Sequence, residues 1–159
     1  MNAKTPSDSA TEMTLMMGVE QANVAGFVHG GSIMKLVDTA AGVAAMRHAK
    51  GRVVTAQVDS LSFLAPVHIG DLLTIEALIT QAWRTSMEVE VTVTREVPWT
   101  GEGGLTTRAH LTMVAVDGDG RPVPIPPLDA MTEAEQRRQH QAEVRRADRI
   151  RLRDQLEGL

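Results

Sequence analysis

The chain has no cysteine, no tyrosine and few other aromatic residues, and these absences exclude several kinds of protein. Its 159 residues include only two Phe and two Trp. Without Cys there is no disulfide framework, no thiolate nucleophile and no cysteine metal site. The polar start, M-N-A-K-T-P-S-D-S-A, has no signal-peptide pattern. We therefore expect an aliphatic core and a cytoplasmic protein.

Long hydrophobic runs, metal-ligand spacings and a basic net charge are also missing. The longest apolar stretch, residues 33–46, is too short to span a bilayer and carries Lys35 and Asp38. The five His show no metal-ligand pattern, and no Gly-x-Ser-x-Gly elbow is present. The net charge of −4 argues against a general nucleic-acid binder. We predict no membrane association, no nucleic-acid partner and no metal.

The pattern of apolar residues predicts one helix among strands. A helix from near Gly30 to about His48 is apolar nearly all round, which is typical of a buried helix. A short strand is predicted at 13–17, and longer ones at 52–63, 71–83, 86–97 and 105–116. These strands are too close in sequence for parallel crossovers. The fold class is therefore α+β, an antiparallel sheet wrapped round a long central helix.

The chain divides into three parts at this level. Residues 1–11 are small and polar and are expected to form a flexible tail, and residues 12–128 form the main domain. Residues 129–159 are expected to form an added helix that starts with a capping box of Thr132 and Glu135. Residues 137–153 hold seven Arg against two acidic residues. That basic helix is a solvated face, an oligomer contact or an RNA-binding element.

The stretch N-V-A-G-F-V-H-G-G-S-I-M-K-L-V-D, residues 23–38, holds the candidate functional residues. A carboxylate such as Asp38 in an apolar helix is costly unless it is paired or used, so it either pairs with Lys35 or does chemistry. Gly31 would let a substrate approach the free N–H groups of the first helical turn, or is a plain helix start. Asn23 is a turn-former or a substrate contact.

Four segments in order over residues 23–128 resemble the hotdog-fold acyl-CoA thioesterases, in particular the brain-type and bacterial short-chain acyl-CoA hydrolases. They are the stretch above, V-V-T-A-Q-V-D-S-L-S-F-L-A-P-V-H-I-G-D, R-T-S-M-E-V-E-V and V-A-V-D-G-D-G-R-P-V-P-I-P-P-L. The resemblance implies hydrolysis of acyl-CoA to free fatty acid and CoA. It implies a homodimer as the minimal active unit, assembled into a hexamer, with no cofactor besides the CoA of the substrate.

The resemblance also implies roles for particular residues. Asp38 would be the general base or nucleophile, and Asn23 and Gly31 of the partner protomer would orient water and polarise the thioester carbonyl. The other substrate-binding candidates are His29, Gly30, Arg84, Thr85 and Ser86, and the Arg-rich helix is a further candidate for contact with CoA phosphates.

Helix geometry supports a site shared between two protomers. Asp38 lies seven residues beyond Gly31, on the order of 10 Å along the axis. One helix therefore cannot easily bring both groups to one carbonyl, whereas two helices side by side can. Two alternatives stay open, a non-catalytic acyl-CoA sensor on the same fold and a hydratase or dehydratase that acts on acyl-thioesters.

Overall fold

The computed structural model describes residues 1–158, and its elements follow the predicted order. The strands are β1 (Thr11–Met16), β2 (Arg52–Phe63), β3 (Leu72–Ala82), β4 (Ser86–Glu96) and β5 (Gly103–Val116). The helices are α1 (Gly30–Ala49) and α2 (Glu133–Glu157), and short 3-10 turns cover Pro6–Asp8 and Val19–Gln21. The predicted α+β class is confirmed. Leu159, in the predicted C-terminal helix, lies outside the described residues.

The five strands form one antiparallel sheet in the order β1-β3-β4-β5-β2, and α1 lies across one face of it. The alternating apolar residues predicted for β3 and β4 point to this helix. The inner face is at most 2% exposed at Leu73, Ile75, Ala77, Ile79, Met87, Val89, Val91, Val93, Ala109, Leu111 and Met113. Alternation places every second side chain on that face. The predicted sheet wrapped round a helix is confirmed.

Helix α1 is buried on one side only, so the expectation of a helix buried all round is wrong. Ala40, Ala41, Ala44 and Ala45 face the sheet and are 0% exposed. On the other side the helix is open to solvent along Met34, Lys35, Asp38, Thr39, Met46 and Arg47. The physical reason is that a single sheet covers one helix face. In the described residues this second face stays exposed, and it holds Met34 and Met46 among charged and polar side chains.

The outer face of the sheet is covered in part by α2, which the alternation in β4 does not predict. Glu88 should face solvent by period two, yet it is 0% exposed. Arg145 of α2 donates to both its carboxylate oxygens, at 2.7 and 3.0 Å, and Thr80 Oγ1 donates at 2.6 Å. The capping box at the start of α2 is confirmed, because Glu135 N donates to Thr132 Oγ1 and Thr132 N to the Glu135 carboxylate.

The basic helix uses several of its arginines within the chain. Arg149 pairs with Asp59 at 2.7 Å, and Arg138 lies 3.3 Å from Glu90. The Arg146 guanidinium lies 4.4 Å from the Trp83 ring centroid, a cation–π contact. A fully solvated basic face is therefore a wrong description of this helix. Its pairing with acidic residues of the sheet fixes the helix to the main domain.

The N-terminal segment is packed over residues 4–11, so the expectation of a loose tail does not describe that part. Lys4 Nζ donates to the carbonyls of Arg47 and His48 at the end of α1, at 2.9 and 2.6 Å. Arg47 in turn donates to the Ala10 carbonyl. A cation at a helix C-terminus satisfies carbonyls that lack helical partners. Within residues 1–158 no helix is long and apolar enough to cross a membrane.

Candidate active site

The start of α1 carries one backbone donor with no partner. His29 caps the helix, and its Nδ1 accepts from Gly31 N at 2.9 Å. The Gly31 N–H proposed for a substrate is therefore already engaged. Among residues 1–158, the Gly30 N–H has no hydrogen-bond partner. The free donor at the positive end of the helix dipole is thus the Gly30 amide.

A mostly apolar cavity of about 390 Å³ opens beside Gly30. Its lining is Phe27, Val28, Gly30, Ile33, Phe63, Leu64, Ala65, Pro66 and Val67. A Cβ on Gly30 would lie 3.2 Å from the Phe63 ring. A glycine at this position therefore keeps the approach to the free amide open.

The loop before α1 is shaped by Asn23. Its Oδ1 accepts from Ala25 N at 2.9 Å and from Phe27 N at 3.1 Å. This is the turn-forming role that the sequence left open. Among residues 1–158, the Asn23 side-chain NH₂ makes no hydrogen bond. The oxygen therefore builds the loop while the NH₂ stays available as a donor.

Asp38 lies on the exposed face of α1 and is held by the neighbouring strand. Thr55 Oγ1 of β2 donates to Asp38 Oδ1 at 2.6 Å. Within the described chain, Oδ2 has no partner and no ion pair joins Asp38 to Lys35. The simple pairing with Lys35 is therefore not what the structure shows. One carboxylate oxygen is fixed and the other is free to accept a proton or to attack.

A buried ion pair fixes the segment that closes the cavity. Asp71 is 4% exposed and accepts from Arg95 Nε at 2.7 Å and from His68 N at 2.8 Å. Burial opposes ionisation of Asp71 and is the largest single influence, but hydrogen bonds from Arg95 and the His68 backbone outweigh it and lower its pKa. Val28 N donates to the Val67 carbonyl, which ties this turn to the loop before α1.

The proposed CoA contacts on the β3–β4 turn lie at the other end of the sheet from Gly30. Phe63, beside Gly30, pairs with Thr107 on β5, whereas Ser86 pairs with Val114 near the far end of that strand. The carbonyls of Arg84 and Thr85 accept from Ile125 and Ala115. Within one chain these residues therefore do not join Gly30 and Asp38 in a single site.

Two residues near the site were missed by sequence reasoning. Thr55 holds Asp38, and Phe63 lies against Gly30, yet each is ordinary in a β-strand. Their position opposite α1 depends on the packing of β2, which no local pattern encodes. Among residues 1–158, no three His, Asp or Glu side chains are grouped so that they could hold a metal ion.

Comparison with known proteins identifies the family. Residues 25–100 match the model of the Thioesterase superfamily. A solved apo-hexameric acyl-CoA thioesterase is 38% identical, with a TM-score of 0.92 over 95% of this chain and 97% of that one. The chain belongs to the hotdog-fold acyl-CoA thioesterase family. An uncharacterized acyl-CoA thioester hydrolase of Bacillus subtilis is 41% identical over 106 residues, 67% of this chain.

The family member from Staphylococcus aureus adds detail about a related enzyme. That acyl-CoA hydrolase, solved with butyryl coenzyme A and coenzyme A, is 30% identical, with a TM-score of 0.87 and coverage of 98% and 97%. It was also solved with an asparagine, an aspartate or a threonine replaced by alanine, the aspartate 15 residues after the asparagine and 17 before the threonine.

Several relatives are longer than this chain. The chain spans 62% of the length of the Bacillus subtilis relative. It spans 36% of the length of a Rattus norvegicus cytosolic acyl coenzyme A thioester hydrolase, to which it is 36% identical over 84% of its own length.

Proposed function

We propose that this chain hydrolyses acyl-CoA thioesters to a free carboxylic acid and CoA. The observation that carries the proposal is the state of Asp38, a carboxylate with one oxygen held by Thr55 and the other without a partner within residues 1–158. It lies on the exposed face of α1, beside Met34 and Lys35. A carboxylate held in this way can act as a general base or as a nucleophile.

The reaction needs a polarised carbonyl and an activated nucleophile. The Gly30 amide and the Asn23 NH₂, on the loop and first turn that precede Asp38, have no hydrogen-bond partner among residues 1–158. Donors aimed at the developing oxyanion are typically worth ~3 kcal/mol of barrier each. The Gly31 amide can join them where His29 Nδ1 turns away from it. As a general base, Asp38 takes a proton from the water that attacks the carbonyl and returns it to the leaving CoA thiolate. As a nucleophile, Asp38 attacks the carbonyl and CoA leaves as a thiolate that takes a proton from solvent, after which water hydrolyses the acyl-aspartyl anhydride to the free acid and restores Asp38.

The helix itself indicates that two protomers complete the site. Asp38 is on the order of 10 Å along α1 from the first turn, and this distance supports a site in which Asp38 meets the donors of a second copy. Apolar residues of α1 and of the edge strand β2 are exposed on this side of the sheet, with Met34, Val58 and Phe63 each 44–51% exposed. An open strand edge and an apolar face of this kind suit a partner chain. We propose a homodimer as the active unit and, by similarity to the hexameric relative, a hexamer.

Substrate contacts follow from this arrangement. Gly30 lines the cavity that is proposed to hold the reacting carbonyl, and His29 caps the helix next to it. Arg84, Thr85 and Ser86 are proposed to contact CoA across a subunit boundary, since they lie far from Gly30 in the same chain. No cofactor is proposed besides the CoA of the substrate. A cytoplasmic location stays a prediction that agrees with the cytosolic relative.

The Staphylococcus aureus variants support these assignments. The separations of its substituted asparagine, aspartate and threonine are those of Asn23, Asp38 and Thr55 in this chain. The sequence pattern predicts Asn23 and Asp38 as site residues, and Thr55 contacts Asp38 at 2.6 Å. The agreement supports a reacting group made of these three residues.

The test is release of free thiol from a panel of acyl-CoAs of increasing chain length by the wild-type protein. Thiol release that saturates with substrate is expected and gives the range of chain lengths. Tight acyl-CoA binding without thiol release would contradict the proposal and favour a non-catalytic acyl-CoA sensor. Formation of a hydrated or dehydrated acyl-CoA with the thioester intact would favour the hydratase or dehydratase instead.

A further inference from the structure

A serine, a histidine and a glutamate form a continuous hydrogen-bonded row on the outer face of the sheet, away from α1. Ser60 Oγ on β2 lies 3.2 Å from His110 Nδ1 on β5, and His110 Nε2 lies 3.1 Å from Glu90 Oε2 on β4. The three residues are cross-strand neighbours in register. A register shift between Val58 and Ser60 marks a bulge, a feature that re-aims side chains.

The chemistry of the row fixes the direction of its hydrogen bonds. The His110 hydrogen bond is the largest influence on the pKa of Glu90 and lowers it, with further lowering by Arg138 against the opposing effect of burial. An ionised carboxylate only accepts, so His110 Nε2 carries the proton. In the tautomer with its only ring proton on Nε2, His110 presents the Nδ1 lone pair to the Ser60 hydroxyl. This is the arrangement of nucleophile, base and orienting acid found in serine hydrolases, which geometry and roles define rather than sequence position.

The surroundings leave room for a ligand. Ser60 is exposed, whereas His110 is 8% exposed. A cavity of about 340 Å³ is lined by Glu90, Arg108, His110, Gln141, Val144 and Arg145. Ser60 lines a neighbouring cavity of about 300 Å³ that shares Arg145. Among residues 1–158, Arg108 has no ion-pair or side-chain hydrogen-bond partner, so its charge is available to a developing oxyanion.

We propose that Ser60, His110 and Glu90 form a second acyl-transfer site that takes small carboxylic esters. Ser60 Oγ attacks the ester carbonyl while its proton passes to His110 Nδ1, and Glu90 holds the imidazolium. The C–O bond to the leaving alcohol breaks, and that alcohol takes the proton from His110. Water, activated by the same nitrogen, then hydrolyses the acyl-serine to a carboxylic acid and restores Ser60. This site shares no residue with the thioesterase site proposed above.

The test uses the full-length Asp38→Asn variant, so that a result does not depend on the thioesterase site. A fluorophosphonate is added, and the modified residue is located by peptide mass spectrometry. The chain offers a matched control in Ser62, an exposed serine two residues further along β2 that pairs with Arg108 rather than with a histidine. We expect an adduct on Ser60 that Ser60→Ala abolishes and Ser62→Ala leaves unchanged.

A second variant tests whether His110 activates the serine. Changing His110→Gln should slow labelling of Ser60 by at least about tenfold, since a positioned general base typically contributes more than that. Hydrolysis of p-nitrophenyl acetate by Asp38→Asn should fall by a similar factor when Ser60→Ala is added. No adduct on Ser60, equal labelling of Ser60 and Ser62, or labelling unaffected by His110→Gln would each overturn the proposal.

Discussion

Asp38 is positioned by a single hydrogen bond from a residue on another element. The Thr55 hydroxyl on β2 donates to Asp38 Oδ1 at 2.6 Å, and Asp38 itself is exposed. A hydrogen bond to a charged group contributes ~1.5–3 kcal/mol, more than one between neutral groups. The placement of the reacting carboxylate therefore depends on Thr55 as well as on the helix.

Replacing Thr55→Val should lower kcat/KM for acyl-CoA hydrolysis by about tenfold or more, because the isosteric side chain cannot donate to Asp38. The free energy of unfolding should change little, since Thr55 is exposed. The matched control is Thr39→Val, next to Asp38 on the helix, where the hydroxyl donates to the Lys35 carbonyl instead. Equal kcat/KM for the two variants would show that Thr55 does not position Asp38.

His48 gives stability a pH dependence near neutrality. It is 0% exposed, burial is the main cause of its lowered pKa, and its Nε2 lies 2.8 Å from the Pro126 carbonyl. A lowered folded-state pKa means that the unfolded chain takes up the proton first. The contribution of His48 to the free energy of unfolding is therefore fully present above the unfolded pKa of about 6.5 and is lost as the pH falls below that value.

The unfolding free energy should therefore decrease as the pH is lowered from 7 to 5, and the decrease should be smaller in His48→Gln. The folded pKa values of Asp71 and Glu90 are also lowered, so these carboxylates stabilise the fold at neutral pH. Their stabilisation is lost only as the pH falls below about 4, the range in which unfolded carboxyl groups take up protons. Denaturant titrations at several pH values measure the slope. A slope between pH 7 and 5 that is identical in wild type and His48→Gln would exclude His48 as its source.

At the scale of single residues, the sequence predicts which residues are candidates for the site better than it predicts their contacts. The pattern from Asn23 to Asp38 predicts candidate functional residues, but not that His29 accepts from Gly31 N–H while Gly30 N–H has no partner among residues 1–158. Both glycines have the same local signature, and the difference arises from the rotamer of one capping side chain. Thr55 has no sequence signal, because its role depends on the packing of β2 against α1.

Helix α2 is attached to the sheet by ion pairs rather than by an apolar stripe. Within its described residues only Ala142 is a buried apolar residue, whereas Arg145 meets the fully buried Glu88. The hydrogen bond to Glu88 is the main cause of the raised pKa of Arg145. Breaking a buried pair from one side leaves an uncompensated charge, which typically costs ~3–5 kcal/mol.

Replacing Arg145→Met should lower the free energy of unfolding by about 3 kcal/mol, because Glu88 would remain buried and lose both hydrogen bonds from α2. The control is Arg151→Met, whose partner Asp148 is exposed and whose loss should cost less than ~1 kcal/mol. Chemical denaturation measures both. The double change Arg145→Met with Glu88→Met should recover much of the loss, and failure to recover would mean that the buried charge is not the cause.

At the scale of elements, periodicity predicts the inner face of the sheet and misses what covers the outer face. Val89 and Val91 alternate with Glu88 and Glu90, and the valines are buried against α1 as expected. The same alternation places the glutamates on the outer face, and it does not show whether another element covers that face. Their cover comes from Arg138 and Arg145, about fifty residues later in the chain.

At the scale of the whole molecule, the exposed face of α1 and the edge strand β2 lie beside the proposed site. The expectation that α1 is buried all round was wrong because, in the described residues, the sheet packs on one face of the helix and leaves the other exposed. This uncovered face is where the proposed partner protomer would lie. A site shared between two protomers predicts that two inactive variants restore activity when they are mixed, whereas a site within one chain does not.

Mixing Asp38→Asn with Asn23→Ala protomers after reversible dissociation should restore about a quarter of wild-type activity. With random pairing half of the dimers are mixed, and each mixed dimer has one of its two sites intact. The readout is thiol release, with each variant treated alone as control. Activity no higher than the mean of the two single variants would place Asn23 and Asp38 in sites within one chain.

The most direct test of the central claim is kcat/KM for thiol release from acyl-CoA by Asp38→Asn, beside wild type and Asp119→Asn. Asp119 is an exposed turn carboxylate, so its loss should leave the rate unchanged. We predict a fall of at least about a hundredfold for Asp38→Asn, the minimum expected when a general base or nucleophile is removed, with the circular dichroism spectrum unchanged. Wild-type rates in a folded Asp38→Asn variant would contradict the account.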